Sequence, residues 1–187
     1  MKTSLGYRSA AILLAAGLLI ADGAASVAAP RGKGTTFEGS CSFEGTVKFD
    51  PGATYVTQPL HYDYPGEGTC SGTLNGTEVK DVAVSVHQYG AAEGTCADAH
   101  TTEPGNGELR FPDGSVLTYT LEFTYQLPET DFSFRGSRSG QAHGTGTFQT
   151  DRNDPATPAK CATPTGATDV PMDMTLTTDG PLVGSKK

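Results

Sequence analysis

The sequence predicts an all-β fold, a single antiparallel domain of about 8–10 strands built either as a β-barrel-like closed sheet or as a two-layer β-sandwich. Three observations predict it. The stretch TFEGSCSFEGTVKF, residues 36–49, alternates without a fault between inner and outer positions. Asn75-Gly76 separates two further alternating stretches, the pairing that a tight hairpin turn demands. No segment after the N-terminal leader repeats at the helical period. Long strands with glycines on the inner face favour the closed sheet over the sandwich.

The elements follow in order. In residues 36–49, Phe37, Gly39, Cys41, Phe43, Gly45, Val47 and Phe49 share one face. Fourteen residues at ~3.3 Å each would run roughly 46 Å, so the strand is expected to coil or bend at Gly39 or Gly45. Asp50-Pro51-Gly52 reads as a turn. A return strand then carries Leu60, Tyr62 and Tyr64 inward, and Pro59 marks its edge or a bulge. After Asn75-Gly76 the next arm turns Val82, Val84 and Val86 one way and Ala83, Ser85 and His87 the other.

Residues 97–107 read as a loop, and a hairpin follows around Pro112-Asp113-Gly114. Its long arm sets Leu117, Tyr119, Leu121, Phe123, Tyr125 and Leu127 on one face. Inward tyrosines need hydroxyl partners, so one end of the core is polar or wet. In residues 131–148 the even positions, from Phe132 and Phe134 to Gly146 and Phe148, suit two strands joined near Ser137 to Ser139. Residues 150–168 read as a Pro/Ala/Thr-rich loop carrying Cys161. A last strand turns Val170, Met172, Met174 and Leu176 inward.

Lys2, Arg8, the apolar run Ala10 to Ala21 and the small residues up to Ala28 have the order of a secretory signal, too short for a membrane span of ~20 residues. The expected organisation is a signal peptide over 1–28, a flexible leader over 29–35, one β domain over 36–178 and a frayed tail over 179–187. Removing the signal takes the count from 13 basic and 21 acidic residues to 11 and 20, a formal net charge of −9. An acidic surface with no Lys/Arg cluster beyond Lys186-Lys187 disfavours nucleic acid and anionic lipid as partners. An extracellular protein or a small ligand remains, with no membrane insertion after cleavage.

Four cysteines in an exported chain read as two disulfides. At 41, 70, 96 and 161 they are spaced too widely for paired zinc-binding motifs. Three of them close an EG(S/T)C phrase, ending at Cys41, Cys70 and Cys96. Acidic neighbours and an inward parity argue against a thiol nucleophile. The glycine two residues before each cysteine is instead expected to leave room for an inward disulfide. Three pairings are open. Folding the second strand back along the first returns the chain toward Cys41 as it nears Cys70, which favours Cys41–Cys70 and leaves Cys96–Cys161. Loop entropy gives these closures roughly 3.5 and 4 kcal/mol.

No catalytic, cofactor or metal site follows from the remaining motifs. His61 shares a face with Asp63, and His100 stands two residues from Asp98, spacings that solvent-facing strand positions also produce. Asp151, Asn153 and Asp154 lack the glycine and closing glutamate of a calcium loop. Asn75-Gly76-Thr77 matches a glycosylation sequon, and the hairpin turn explains the same residues. If the domain holds a pocket, its polar handles are Tyr62, Tyr64, Tyr119 and Tyr125.

The run Cys41-x3-Gly45-x-Val47-x-Phe49-x-Pro51 carries a resemblance, together with Gly68-x-Cys70-Ser71-Gly72, Gly136-x3-Gly140-x3-Gly144-x-Gly146-x-Phe148 and Cys161-x2-Pro164-x-Gly166. In this order they resemble a group of uncharacterised secreted, four-cysteine, β-rich proteins of actinobacteria. The resemblance implies export, an all-β fold and two disulfides, and it brings no activity.

The reading reached from sequence is a secreted, disulfide-braced β domain with a non-catalytic binding or envelope-surface role. Two alternatives belong to other classes. A small extracellular hydrolase or cyclase would need a barrel cavity in which His143 or His61 meets Asp63 or Glu122. A secreted protein inhibitor would present residues 97–107 as a rigid loop.

Overall fold

A computed structural model describes residues 34–149 and 156–185 of the chain. The predicted signal, most of the leader, and the Asp151, Asn153 and Asp154 cluster lie outside the described residues. Ten strands form one antiparallel sheet: β1 (Thr36–Ala53), β2 (Gln58–Leu74), β3 (Thr77–Gly94), β4 (Asp98–Thr101), β5 (Gly105–Arg110), β6 (Val116–Gln126), β7 (Glu129–Gly136), β8 (Gln141–Phe148), β9 (Ala167–Thr178) and β10 (Leu182–Val183). Neighbours in sequence are neighbours in the sheet from β1 to β4, and again from β6 to β9. β5 bridges β3 and β6, and β9 pairs back onto β1 from Ser40↔Thr177 to Lys48↔Asp169. The sheet therefore closes into a ring, and the two-sheet sandwich is not the arrangement adopted.

Alternation explains which side chains fill that ring. Phe43 and Val47 on β1, Leu60 and Tyr64 on β2, Val84 and Val86 on β3, and Met172 and Met174 on β9 are all buried. Their sequence neighbours on the outer face are exposed or half-buried. β1 is long and serves three partners, β2 along one edge and β9 and β10 along the other. Gly39, with φ 154°, faces Gly72, with φ 148°, across the β1–β2 pair. A Cβ at either position would run into the opposite backbone.

One end of the ring is packed solid. Phe37, Leu109, Leu117 and Leu182 are fully buried there, and the Phe37 and Phe111 rings stand 5.6 Å apart. Val183 N–H donates to Ser139 O, and Gly184 N–H donates to Thr35 O. The frayed tail expected after residue 178 is thus a docked β10, and Thr35, placed in the flexible leader, is buried. Apolar contact of Leu182 over this end outweighs the Gly/Ser character of its neighbours.

Three further expectations change. Asp50-Pro51-Gly52 is not the turn, because β1 continues to Ala53 and the chain reverses over 54–57. Residues 97–107 are mostly strand, since β4 pairs β3 and β6, and β5 begins at Gly105. Residues 150–168 hold a one-and-a-half-turn helix, α1 (Ala156–Cys161), and the first residues of β9. Six residues are too few to print a helical period on a sequence.

Candidate functional site

The disulfides set the frame. Cys41 and Cys70 face one another directly in the β1–β2 register, with Cα atoms 4.1 Å apart, and join two adjacent strands through the core. Cys96 follows the end of β3 and bonds Cys161 at the end of α1, with Cα atoms 6.1 Å apart. That second bridge straps α1 to the end of the ring opposite the Phe37 plug. In the EG(S/T)C phrases the missing Cβ makes room for backbone and not for sulfur. A Cβ at Gly68 would meet Ser42 and Phe43, and one at Gly94 would meet Asp98 and Ala99.

Beneath the strap lies a cavity of about 220 Å³. Val47, Leu60, Phe123, Phe132, Phe148 and Val170 form its apolar wall, and Cys96 and Cys161 border its upper end. Among the described residues no charged side chain lines it. It opens between Tyr55, Leu127 and Pro158; Tyr55 is 57% exposed and Leu127 54%. Leu127, expected inward from its parity with Tyr125, has left β6 and sits on this rim.

The rim is held in place by hydrogen bonds between connections. Cys96 N–H donates to Thr54 O at 2.7 Å, and Leu127 N–H donates to Ala97 O at 2.9 Å. Thr95 Oγ1 accepts from Ala97 N–H at 3.0 Å and donates to the Asp98 carboxylate. Tyr55 Oη reaches Pro158 O at 3.4 Å, across the opening. A cavity with so fixed a border exists before any ligand arrives.

Of the four tyrosines singled out from sequence, Tyr62, Tyr64 and Tyr125 line the cavity, while Tyr119 lies behind its floor. Tyr64 Oη donates to Met172 O at 3.3 Å, and Tyr125 Oη donates to Cys96 O at 3.2 Å. Burial raises the pKa of all four phenols by desolvating the phenolate. Three of the four rings, those of Tyr62, Tyr64 and Tyr119, fit because a glycine stands beneath or beside them. A Cβ on Gly45 would strike the Tyr64 ring, one on Gly105 the Tyr62 hydroxyl, and one on Gly107 the Tyr119 ring.

Sequence reading missed Gln88 and Thr130. Gln88 is 1% exposed on the inner face of β3, and its Nε2 donates to Tyr119 Oη at 3.0 Å. Thr130 is buried on β7 and lines the cavity. Parity announces both. Gln88 continues the even series Val82, Val84, Val86, and Thr130 precedes Phe132 and Phe134 at the same spacing.

The histidines and carboxylates named for an enzyme do not line the cavity. His61 and Glu122 are exposed on the outer face. Asp63 pairs with His87 at 2.5 Å on that face, and His143 pairs with Asp179 at 2.9 Å. His100 and Asp98 are exposed on β4. Among the described residues no cluster of three or more His, Cys, Asp or Glu side chains could hold a metal ion. Asn75 is engaged as a turn residue: at φ 51° its Oδ1 accepts from Thr36 N–H and its Nδ2 donates to Ser115 Oγ, both at 3.0 Å.

No family model, no curated protein and no solved structure matches the chain.

Proposed function

We propose that the mature chain is an exported binding protein that holds a small, largely apolar molecule inside its ring. The observation that carries this reading is the bordered, uncharged cavity between the packed end and the Cys96–Cys161 strap. A tightly filled core would be more stable by the transfer and cavity terms that an empty space forfeits. The leader over 1–28 and the two disulfides support export to an oxidising compartment. Scaling from a 150 Å³ cavity that takes benzene, this one takes a molecule of roughly nine non-hydrogen atoms.

Propylbenzene has that size and tests the reading by thermal unfolding of the oxidised protein. At tenfold excess over Kd it stabilises the fold by about 1.4 kcal/mol. Ala99→Leu, which places a larger side chain in the cavity wall, abolishes the response while the variant still melts cooperatively. A wild-type melting curve that propylbenzene leaves unmoved, with no heat of binding by calorimetry, would refute cavity binding. Mass spectrometry of the unreduced secreted protein checks export and cleavage near Ala28.

A further inference from the structure

The floor of the cavity is where its wall turns polar. On β3 the inner positions Val84, Val86 and Ala92 are apolar, and Gln88 stands among them almost fully buried. A carboxamide carries two donors and a carbonyl with two lone pairs. The bonds of Gln88 run from Nε2 alone, to Tyr119 Oη at 3.0 Å and to Met174 Sδ at 3.5 Å. Among the described residues no donor meets its Oε1. Exchanging the two ends of the amide would only move the vacancy from acceptor to donor, because Tyr119 serves one end either way.

Tyr62 adds a second unused group. Its Oη is buried with no hydrogen-bond partner, as is Thr130 Oγ1 nearer the mouth. A Cβ on Gly90 would lie 2.7 Å from Tyr62 Oη, and Gly90 is the next inner position after Gln88 on β3. That hydroxyl sits against the backbone of Gly90 and Gly105 in the wall, whereas Gln88 lines the cavity with an acceptor that no described donor meets. Tyr64, their neighbour on the floor, already spends its hydroxyl on Met172 O. An unpaired polar group shut away from water costs roughly 1–3 kcal/mol, so a carboxamide end left open to an apolar cavity is suited to pairing with a ligand.

Resting on the binding reading above, we infer that the ligand is an uncharged amphiphile bound head-down: an apolar body carrying one hydroxyl or N–H group. The head donates to Gln88 Oε1. The body fills the Leu60, Phe123 and Phe132 wall toward the mouth. Carboxylates and amines are rejected, because the wall offers no counter-charge and stripping water from an ion costs more than the cavity returns.

Three probes separate this inference from the reading beneath it. 2-Phenylethanol and propylbenzene have the same number of non-hydrogen atoms and differ in the head, and phenylacetate bears a charge. Calorimetric titration of the oxidised protein should show phenylacetate at least about tenfold weaker than the alcohol. Gln88→Met should weaken 2-phenylethanol by about 3- to 10-fold and leave propylbenzene within about twofold, whereas Tyr62→Phe, whose hydroxyl lies in the wall, should change neither by more than about twofold. Should Gln88→Met not fold, the wild type decides: 2-phenylethanol that binds no more tightly than phenylacetate overturns the inference. In Gln88→Met, unchanged affinity or equal losses for both neutral probes would overturn the head-down placement while leaving cavity binding intact. If propylbenzene itself fails to bind the wild type, it is the cavity reading that falls.

Discussion

At the scale of single residues, the interior depends on glycine and tyrosine together. Removing a Cβ from one strand lets an aromatic ring lie along the wall, so the ring seals the sheet without filling its centre. Gly105 and Tyr62 form the tightest such pair, since a Cβ at 105 collides with the hydroxyl. Gly105→Ala is expected to destabilise the domain by about 1–3 kcal/mol. Tyr62→Phe alone should be neutral or stabilising by up to about 1 kcal/mol, because it deletes a buried hydroxyl that has no partner. Combined, the two changes should be less harmful than their sum by about 1 kcal/mol, a coupling that urea denaturation of the four proteins measures. Strict additivity would mean that the hydroxyl does not occupy the socket.

Parity explains how much of this was legible. Tyr62, Tyr64 and Tyr125 reach the cavity because a period of two decides the face of every residue in a strand. Gln88 and Thr130 obey the same rule, yet composition hides them, since a glutamine or a threonine inside an apolar series looks like an outer residue. What alternation cannot say is whether an inward side chain meets another side chain or a space. The cavity itself was therefore not readable from the sequence.

At the scale of elements, the long strands were legible and the short pieces were not. β1, β2, β3 and β9 repeat their alternation often enough to stand out, whereas β4 has Ala99 as its one fully buried residue and β10 spans two residues. α1 is fixed by contacts made far away in sequence: Cys161 is bonded to Cys96, and Pro158 takes the Tyr55 hydroxyl. The strap is the element on which the mouth depends. Replacing Cys96 and Cys161 together by serine should cost about 2–4 kcal/mol of stability. It should also raise hydrogen exchange over residues 156–166 and speed the dissociation of bound propylbenzene, with β1 and β2 remaining protected. Unchanged exchange over α1 would show that the helix holds its place without the bridge.

At the scale of the whole molecule, the all-β antiparallel class was legible and the closed sheet was favoured, but the strand pairing that closes it was not legible. Alternation assigns faces but not neighbours, and the β1–β9 pairing joins residues more than a hundred positions apart. Closure places four tyrosines in a shared interior, with a consequence at high pH. Their folded pKa values lie above the ordinary phenol value of 10.0. The unfolded chain therefore releases these protons first. The stabilisation is complete below about pH 10 and is lost as pH rises above it, by up to about 1.4 kcal/mol per pH unit for each phenol. Absorbance at 295 nm and circular dichroism should report a single alkaline transition in which the buried phenols ionise as the fold is lost. Ionisation of all the tyrosines well before the loss of structure would contradict their burial.

The hydrogen bond from Gly184 to Thr35 has a geometric corollary. It brings the beginning and the end of the folded domain side by side, on the pole opposite Tyr55 and Leu127. Anything attached to either terminus, whether a surface, a fusion partner or a tag, would grip the molecule by its base and leave the opening facing outward. By the same adjacency, a short peptide could join the two ends and new termini could be cut at the Asn75-Gly76 turn without redirecting a single strand.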